Sequence, residues 1–385
     1  MATVLLRGED SRVGFVELFY DLVFVFAITQ VSHLLLNHYG LRGALEAGLL
    51  FLAIWWVWIY TTWVLNRLDP DRAAVRGMLF GMMLAGLFLS MAIPQAFGAR
   101  GWVFALAFVA MQSGRTLFTY FAGRSDALLR RTYQRIFLWF VASGLLWIGG
   151  GLAHPEARPW FWGAALAVEY AGPVLAFFVP GLGRDTTANW TVRGGHIAER
   201  CGLFVIICLG ETLLISGAAF AEMAWDMPGL VAFLAAVAVS IGMWWVYFHI
   251  GHRRGTHQIE HSDDPGRLAR LAFTYAHIPI VAGIVLAAVG AERAIAHPGQ
   301  SGSWAEAASA MGGVMLFLAG NGWFKRISGR WFPLSHLVGL GLCAVAVLSS
   351  AYLTLAVLNL AAAAILGLVA LWEHLSLRGA GASPR

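Results

Sequence analysis

Among the carboxylates inside stretches apolar enough to cross a bilayer, five are candidates for chemistry: Glu17 and Asp21, Glu169, and Glu199 and Glu211. A carboxylate at such depth costs about 2.5–3.5 kcal/mol, so each needs a buried partner, a proton or a task. Glu17 and Asp21, in FVELFYDLVFVFAITQVSHLLL (15–36), are four residues apart and share one face of a helix. Glu17 also suits a headgroup-level position, whereas Asp21, a turn deeper, is expected to be ion-paired or functional. Arg115, in AFVAMQSGRTLFTYF (107–121), is placed by helix rise about 10 Å from the cytoplasmic end of its span, close to the depth of Asp21. An Arg115–Asp21 ion pair is therefore expected, with snorkelling of Arg115 to the headgroups as the bland alternative. Glu169 sits mid-span in AVEYAGP (167–173), and Glu211 lies about 18 Å along its helix from Glu199 and Arg200. An isolated carboxylate at mid-depth either keeps a proton or finds a cation, which suits a proton-coupled step; the plainer reading is a neutral Glu bonded to a neighbouring helix. His33, His277 and His336 are secondary proton-relay candidates.

Other chemistry finds less support. HQIEH (257–261) matches H-x-x-E-H but lies in a short loop after Arg-Arg-Gly, so no metal site and no cofactor is expected. No phosphate-binding loop of the GxxxxGK[ST] type is present. Cys201, Cys208 and Cys343 lie in apolar stretches and read as small buried hydrophobes. The aromatic runs Trp55, Trp56, Trp58 and Trp244, Trp245, Tyr247 read as interface belts and helix packing, with a ligand-stacking wall as the sharper option.

The elements that position these groups follow from composition. The chain is 59% hydrophobic and 12% charged, against about 25% charged for soluble domains, so an all-α polytopic membrane helix bundle is expected. Twelve spans are read, near 13–36, 43–65, 77–97, 101–122, 135–153, 159–180, 197–219, 229–251, 269–290, 304–323, 331–350 and 352–374. The first twelve residues lack an apolar core and a small-residue cleavage site, so the first span is expected to direct insertion. With the N-terminus inside, 21 basic residues fall on the cytoplasmic side and 4 opposite, which predicts cytoplasmic termini. The net charge of +5 reads as topology, since no basic run is interleaved with aromatics as a nucleic-acid surface requires.

The chain also echoes itself. AIWWVWIY (53–60) matches GMWWVYFH (242–249), Glu17 opens one span as Glu199 opens another, and LDPDRAAVR (68–76) matches SDDPGRLAR (262–270). Three matches in order predict two parallel six-helix repeats, 1–183 and 184–385.

RVGFVELFYDLVFVFAITQVSHLL (12–35), AERCGLFVIICLGETLL (198–214) and WWV followed by an aromatic (244–247) resemble the bacterial low-temperature-requirement A family. The resemblance implies a multi-span membrane protein and marks Glu17, Asp21, His33, Glu199, Gly202 and Glu211 as motif positions, without assigning a substrate. The preferred reading is a proton-coupled secondary transporter or permease of the bacterial plasma membrane. Glu17, Asp21 and Arg115 would serve one half, and Glu199, Arg200 and Glu211 the other. Its partners would be membrane lipid and an unidentified small molecule or ion, in an oligomeric state left open. A lipid-handling protein or enzyme, or a channel or sensor, stands as the alternative.

Overall fold

A backbone in hydrocarbon must satisfy its own N–H and C=O groups, so apolar runs of this length become helices. The computed structural model describes residues 5–7, 12–124, 126–187, 190, 192–223, 225–249, 264–327, 329 and 331–381, with side chains to 376. HQIEH lies outside the described residues. The helices are α1 (Phe15–Asn37), α2 (Leu41–Leu65), α3 (Ala73–Ala92), α4 (Gly101–Ala122), α5 (Ala127–Leu152) and α6 (Arg158–Val174). They continue as α7 (Gly194–Ala221), α8 (Met227–Phe248), α9 (Pro265–Ala296), α10 (Trp304–Ile327), α11 (Leu334–Leu348) and α12 (Leu355–Gly381). Among the described residues there is no strand beyond isolated bridges such as Leu6–Leu68. Nine of these helices are long and apolar enough to cross a membrane, and α11 is a shorter apolar helix. Apolar side chains such as Phe19, Leu84, Leu145 and Leu214 stand exposed on them, as lipid-facing residues do.

Local chemistry sets the helix ends. Asp126 accepts the N–H groups of Leu128 and Leu129, both at 3.0 Å, so α5 starts at 127 rather than near 135. Ser303 and Glu306 form a reciprocal capping box at α10. The sixth span stops at 174 instead of 180. Past Pro173 the chain turns through left-handed Ala176 (φ 52°) and Phe177 (φ 48°), and the Phe177 ring folds back over Gly172. A π-helical turn, Arg270–Tyr275, interrupts α9. Pro279, four residues beyond Tyr275, has no N–H for the regular bond there, and the ladder shifts register before it.

The helices form two compact units, Met1–Arg200 with Asp263–Gly266, and Cys201–Ser262 with Arg267–Arg385. In the first, α1 packs on α2 and α3, while α4 packs on α2, α3 and α5, and α6 on α5 and α2. Trp55, Trp56 and Trp58 are fully buried here, so this aromatic run is core rather than an interface belt. Trp56 stacks on Tyr170 with ring centroids 3.9 Å apart.

In the second unit α9 and α10 run against each other at backbone distance. A Cβ on Gly283 would lie 2.5 Å from the Phe317 nitrogen, and one on Gly290 would lie 2.6 Å from Ala310 Cα. Small residues permit that approach. There α8 packs on α12 and α9, and α11 on α10 and α12. Trp244 and Trp245 remain partly exposed, whereas Tyr247 is buried. The three cysteines are buried and form no disulfide among the described residues.

Candidate functional site

In the first unit the acidic doublet of α1 meets a basic doublet spaced the same way at the start of α7. His196 and Arg200 are four apart, as are Glu17 and Asp21, so each doublet presents two groups on one helix face. All four side chains are fully buried. Arg200 Nη2 donates to Asp21 Oδ1 at 2.6 Å, and its Nη1 lies 3.4 Å from Glu17 Oε1. Trp58 Nε1 donates to the same Asp21 oxygen at 2.8 Å, and its ring faces the Arg200 guanidinium carbon 5.7 Å from the centroid. Glu17 Oε2 accepts from Arg7 Nη2 and from the Gly14 N–H, both at 2.8 Å. Glu17 is thus buried and paired.

Asn66 fixes the protonation pattern of the imidazole. Its Oδ1 accepts the Arg193 N–H and its Nδ2 donates to the Arg193 carbonyl, so the amide cannot flip. The same Nδ2 faces His196 Nδ1 at 3.3 Å, which makes that nitrogen the acceptor. The proton therefore sits on Nε2 and is donated to Glu17 Oε1 at 2.9 Å. With His196 neutral, the two carboxylates are met by two guanidiniums, those of Arg7 and Arg200. Arg193 closes it at the end of α2, donating to the carbonyls of Asn66 and Arg7. Burial, then the charges of Arg7 and Arg67, pull this guanidinium below the ordinary arginine range.

One oxygen stands apart. Asp21 Oδ2 is buried and has no hydrogen-bond donor, and Arg200 Nε is equally unpartnered. The carboxylate is held by one oxygen and open at the other.

The expected Arg115–Asp21 pair does not form, because Arg200 occupies Asp21. Nor does Arg115 snorkel, since it is 1% exposed. Its Nη1 donates to the Val57 carbonyl and Thr61 Oγ1, at 3.0 and 3.1 Å, and its Nη2 donates to Gln112 Oε1. Gln112 Nε2 passes the link to Glu169 Oε2 at 2.7 Å. Glu169 Oε1 also accepts from Ser143 and Trp147, so a buried cation and a buried anion are joined through one amide. Tyr20, beside Asp21 in the chain, donates to Thr61 Oγ1, since that hydroxyl spends its own proton on the Val57 carbonyl. The five helices α1, α2, α4, α5 and α6 are tied by this relay.

The remaining candidates lie elsewhere. Glu199 is half-buried and accepts the Val13 N–H at 3.2 Å, steering the entry to α1 rather than joining the cluster. His33 is exposed. Glu211, further along α7, is half-buried in the second unit. His277, also there, is held between Tyr247 Oη and the Ala272 carbonyl, each at 2.8 Å. Sequence reasoning passed over His196, Arg7, Asn66 and Gln112. The signal for His196 was its four-residue spacing from Arg200, mirroring the acidic doublet.

A family model described as bacterial low temperature requirement A protein (LtrA) matches residues 12–371. An uncharacterized protein of Rhizobium meliloti (strain 1021) is 40% identical over 373 residues, covering 96% of this chain and 91% of that protein. No solved structure matches the chain. With the signature helix α1 carrying the buried acidic doublet and the match running through nearly all of the apolar helices, the chain is a multi-pass membrane protein that belongs to the bacterial low temperature requirement A family.

Proposed function

We propose that the protein is a proton-coupled secondary transporter of the bacterial plasma membrane, with Asp21 as the proton-carrying group. Its twelve spans would form two parallel repeats with cytoplasmic termini, an arrangement supported by the basic-residue asymmetry and the echoed motifs. The observation that carries the reading is the unpartnered oxygen of Asp21 inside a buried ion cluster. A proton added at Oδ2 removes the charge that holds Arg200 at 2.6 Å, leaving the guanidinium to Glu17. Two arrangements of one arginine between two carboxylates give a two-state element that protonation biases. The substrate is a small molecule or ion whose binding depends on which carboxylate Arg200 holds.

The test is purified protein in liposomes loaded with a pH-reporting dye and challenged with a panel of ions and metabolites. Substrate-dependent proton movement that is abolished in Asp21→Asn supports the reading. Substrate movement that is indifferent to the pH gradient and unchanged in Asp21→Asn overturns it. A recess of about 220 Å³ favours a second reading, that of a lipid-handling protein. It is lined by Met78, Gly81, Met82, Met111, Gly114 and Arg115, a surface suited to an acyl chain ending at a buried cation. Lipid co-purifying with the wild type and lost in Met111→Trp would favour this reading.

A further inference from the structure

Twenty-six basic residues include one lysine, Lys325, and the chain places it where arginine would be the habitual choice. Elsewhere its buried cations are arginines: Arg7, Arg115, Arg135, Arg158 and Arg200. Lys325 is 9% exposed near the end of α10, within the second unit. Its amine donates to Glu373 Oε1 and Oε2 at 2.7 and 2.9 Å and to the Val246 carbonyl at 3.1 Å. Three acceptors match the three protons of an ammonium. The acceptors are all oxygen and belong to two helices, α8 and α12, and His336 on α11 adjoins Glu373. His336 Nδ1 lies 3.6 Å from Glu373 Oε1, and its Nε2 is 2.9 Å from Asn321 Oδ1. The Asn321 amide nitrogen is buried with no partner.

An ammonium in a cup of hard oxygen atoms occupies the place of a small alkali cation. Lysine differs from arginine there in one respect that matters: it can leave as a neutral amine, whereas a guanidinium stays charged. We infer that the Lys325–Glu373 pair is an exchange site at which a monovalent metal cation replaces the proton of Lys325. Written out, the ammonium and the carboxylate plus one cation give the neutral amine, the carboxylate with the cation bound, and one released proton. Charge is conserved, so the buried site never carries a net charge. The cation takes the oxygens that the ammonium held, those of Glu373 and of the Val246 carbonyl. A proton leaving from here has titratable groups beside it. His374, next to Glu373, lies 3.3 Å from the exposed His249 at the end of α8. The other titratable or charged groups on the helices packed here are Tyr247 on α8, Arg267, Arg270, Tyr275, His277, Glu292 and Arg293 on α9, Glu306 and Arg326 on α10, His336 and Cys343 on α11, and Arg378 on α12. Of these, Tyr247 and His277 are bonded to one another.

This inference stands apart from the role of Asp21 and has its own readout. A single lysine gives a single side-chain signal when the full-length protein in micelles is labelled with ζ-15N-lysine. Lithium, sodium and potassium chloride are titrated at alkaline pH, with choline chloride matching ionic strength, while released protons are counted. The expected result is conversion of the one signal from ammonium to amine by at least one alkali cation, with release of up to one proton per chain and no response to choline. Lys325→Arg should release none. A lysine signal that stays ammonium through every titration, with no proton released, overturns the exchange site and leaves a structural ion pair. Signal and proton counts come from the wild type, so a variant that fails to fold does not decide the outcome.

Discussion

At the scale of single residues, depth along the helices assigns Arg115 to Asp21, and the structure gives Asp21 Arg200 instead. Removing one member of a buried pair leaves the other uncompensated, at about 3–5 kcal/mol. Asp21→Asn and Arg200→Gln are each expected to lose stability of that order in reversible unfolding from mixed micelles, and the double variant should recover a large part. The cycle of Asp21→Asn with Arg115→Gln should be additive to within about 0.5 kcal/mol, because the two side chains share no hydrogen-bond partner. Coupling in the second cycle and none in the first would reverse the assignment. His196 was legible only through its four-residue spacing from Arg200. Its tautomer follows from Asn66, a residue on another helix held by the backbone of Arg193.

At the scale of elements, two devices decide how closely helices meet. Arg158, at the start of α6, is 5% exposed and donates to the carbonyls of Ala96, Gly98, Gly150, Gly151 and Ala153. It gathers the orphan acceptors left where α5 ends and where the turn after α3 ends. Arg158→Met should destabilise the protein by about 3 kcal/mol or more, since several buried acceptors lose their donor together; Arg158→Lys should restore only part. Thermal unfolding of the two variants in one detergent measures the difference. The second device is the glycine contact of α9 with α10. A Cβ on Gly313 would intrude on the Ala287 backbone, with Ala287 Cα at 2.8 Å, whereas one on Gly312 would meet nothing nearer than Leu286 Cδ2 at 3.8 Å. Alanine is the better helix former by about 1 kcal/mol, so Gly312→Ala should be neutral to stabilising. Gly313→Ala should instead cost about 1–3 kcal/mol through overpacking. Equal midpoints for the two variants would remove the close-approach argument.

At the scale of the whole molecule, orientation is the property on which depth and direction rest. Cysteine at Gly299 should react with a membrane-impermeant maleimide on intact cells, and cysteine at Asp71 only after permeabilisation. The native thiols are buried, so the background should be low. Labelling with the opposite sidedness would invert the topology, and with it the direction in which Asp21 meets the proton gradient. The echoed motifs also belong to this scale, and their members differ in setting: Trp56 is fully buried, while Trp245 is 39% exposed.

The amino-acid sequence by itself determined the class of molecule. Long apolar runs with few charges admit only helices in a bilayer, and the twelve runs all fall on helices. It also marked Glu17, Asp21, Arg115, Glu169 and Arg200 as groups that hydrocarbon would penalise when unpaired, because that penalty is a property of the residue type and of its depth. Pairing was beyond its reach. Depth along a helix follows from counting residues, but which face meets which neighbour depends on helix rotation and on contacts between residues far apart in the chain. Hence Arg115 and Asp21, level in depth, have different partners, and Arg200, 179 residues from Asp21, closes the ion pair. The single lysine was plain in the composition, yet only the packing of α8, α10 and α12 brought its amine to Glu373 and the Val246 carbonyl. Helix ends show the same division: Asp126 and Pro173 are local signals with local effects, whereas Arg158 collects carbonyls from segments that only the tertiary fold assembles.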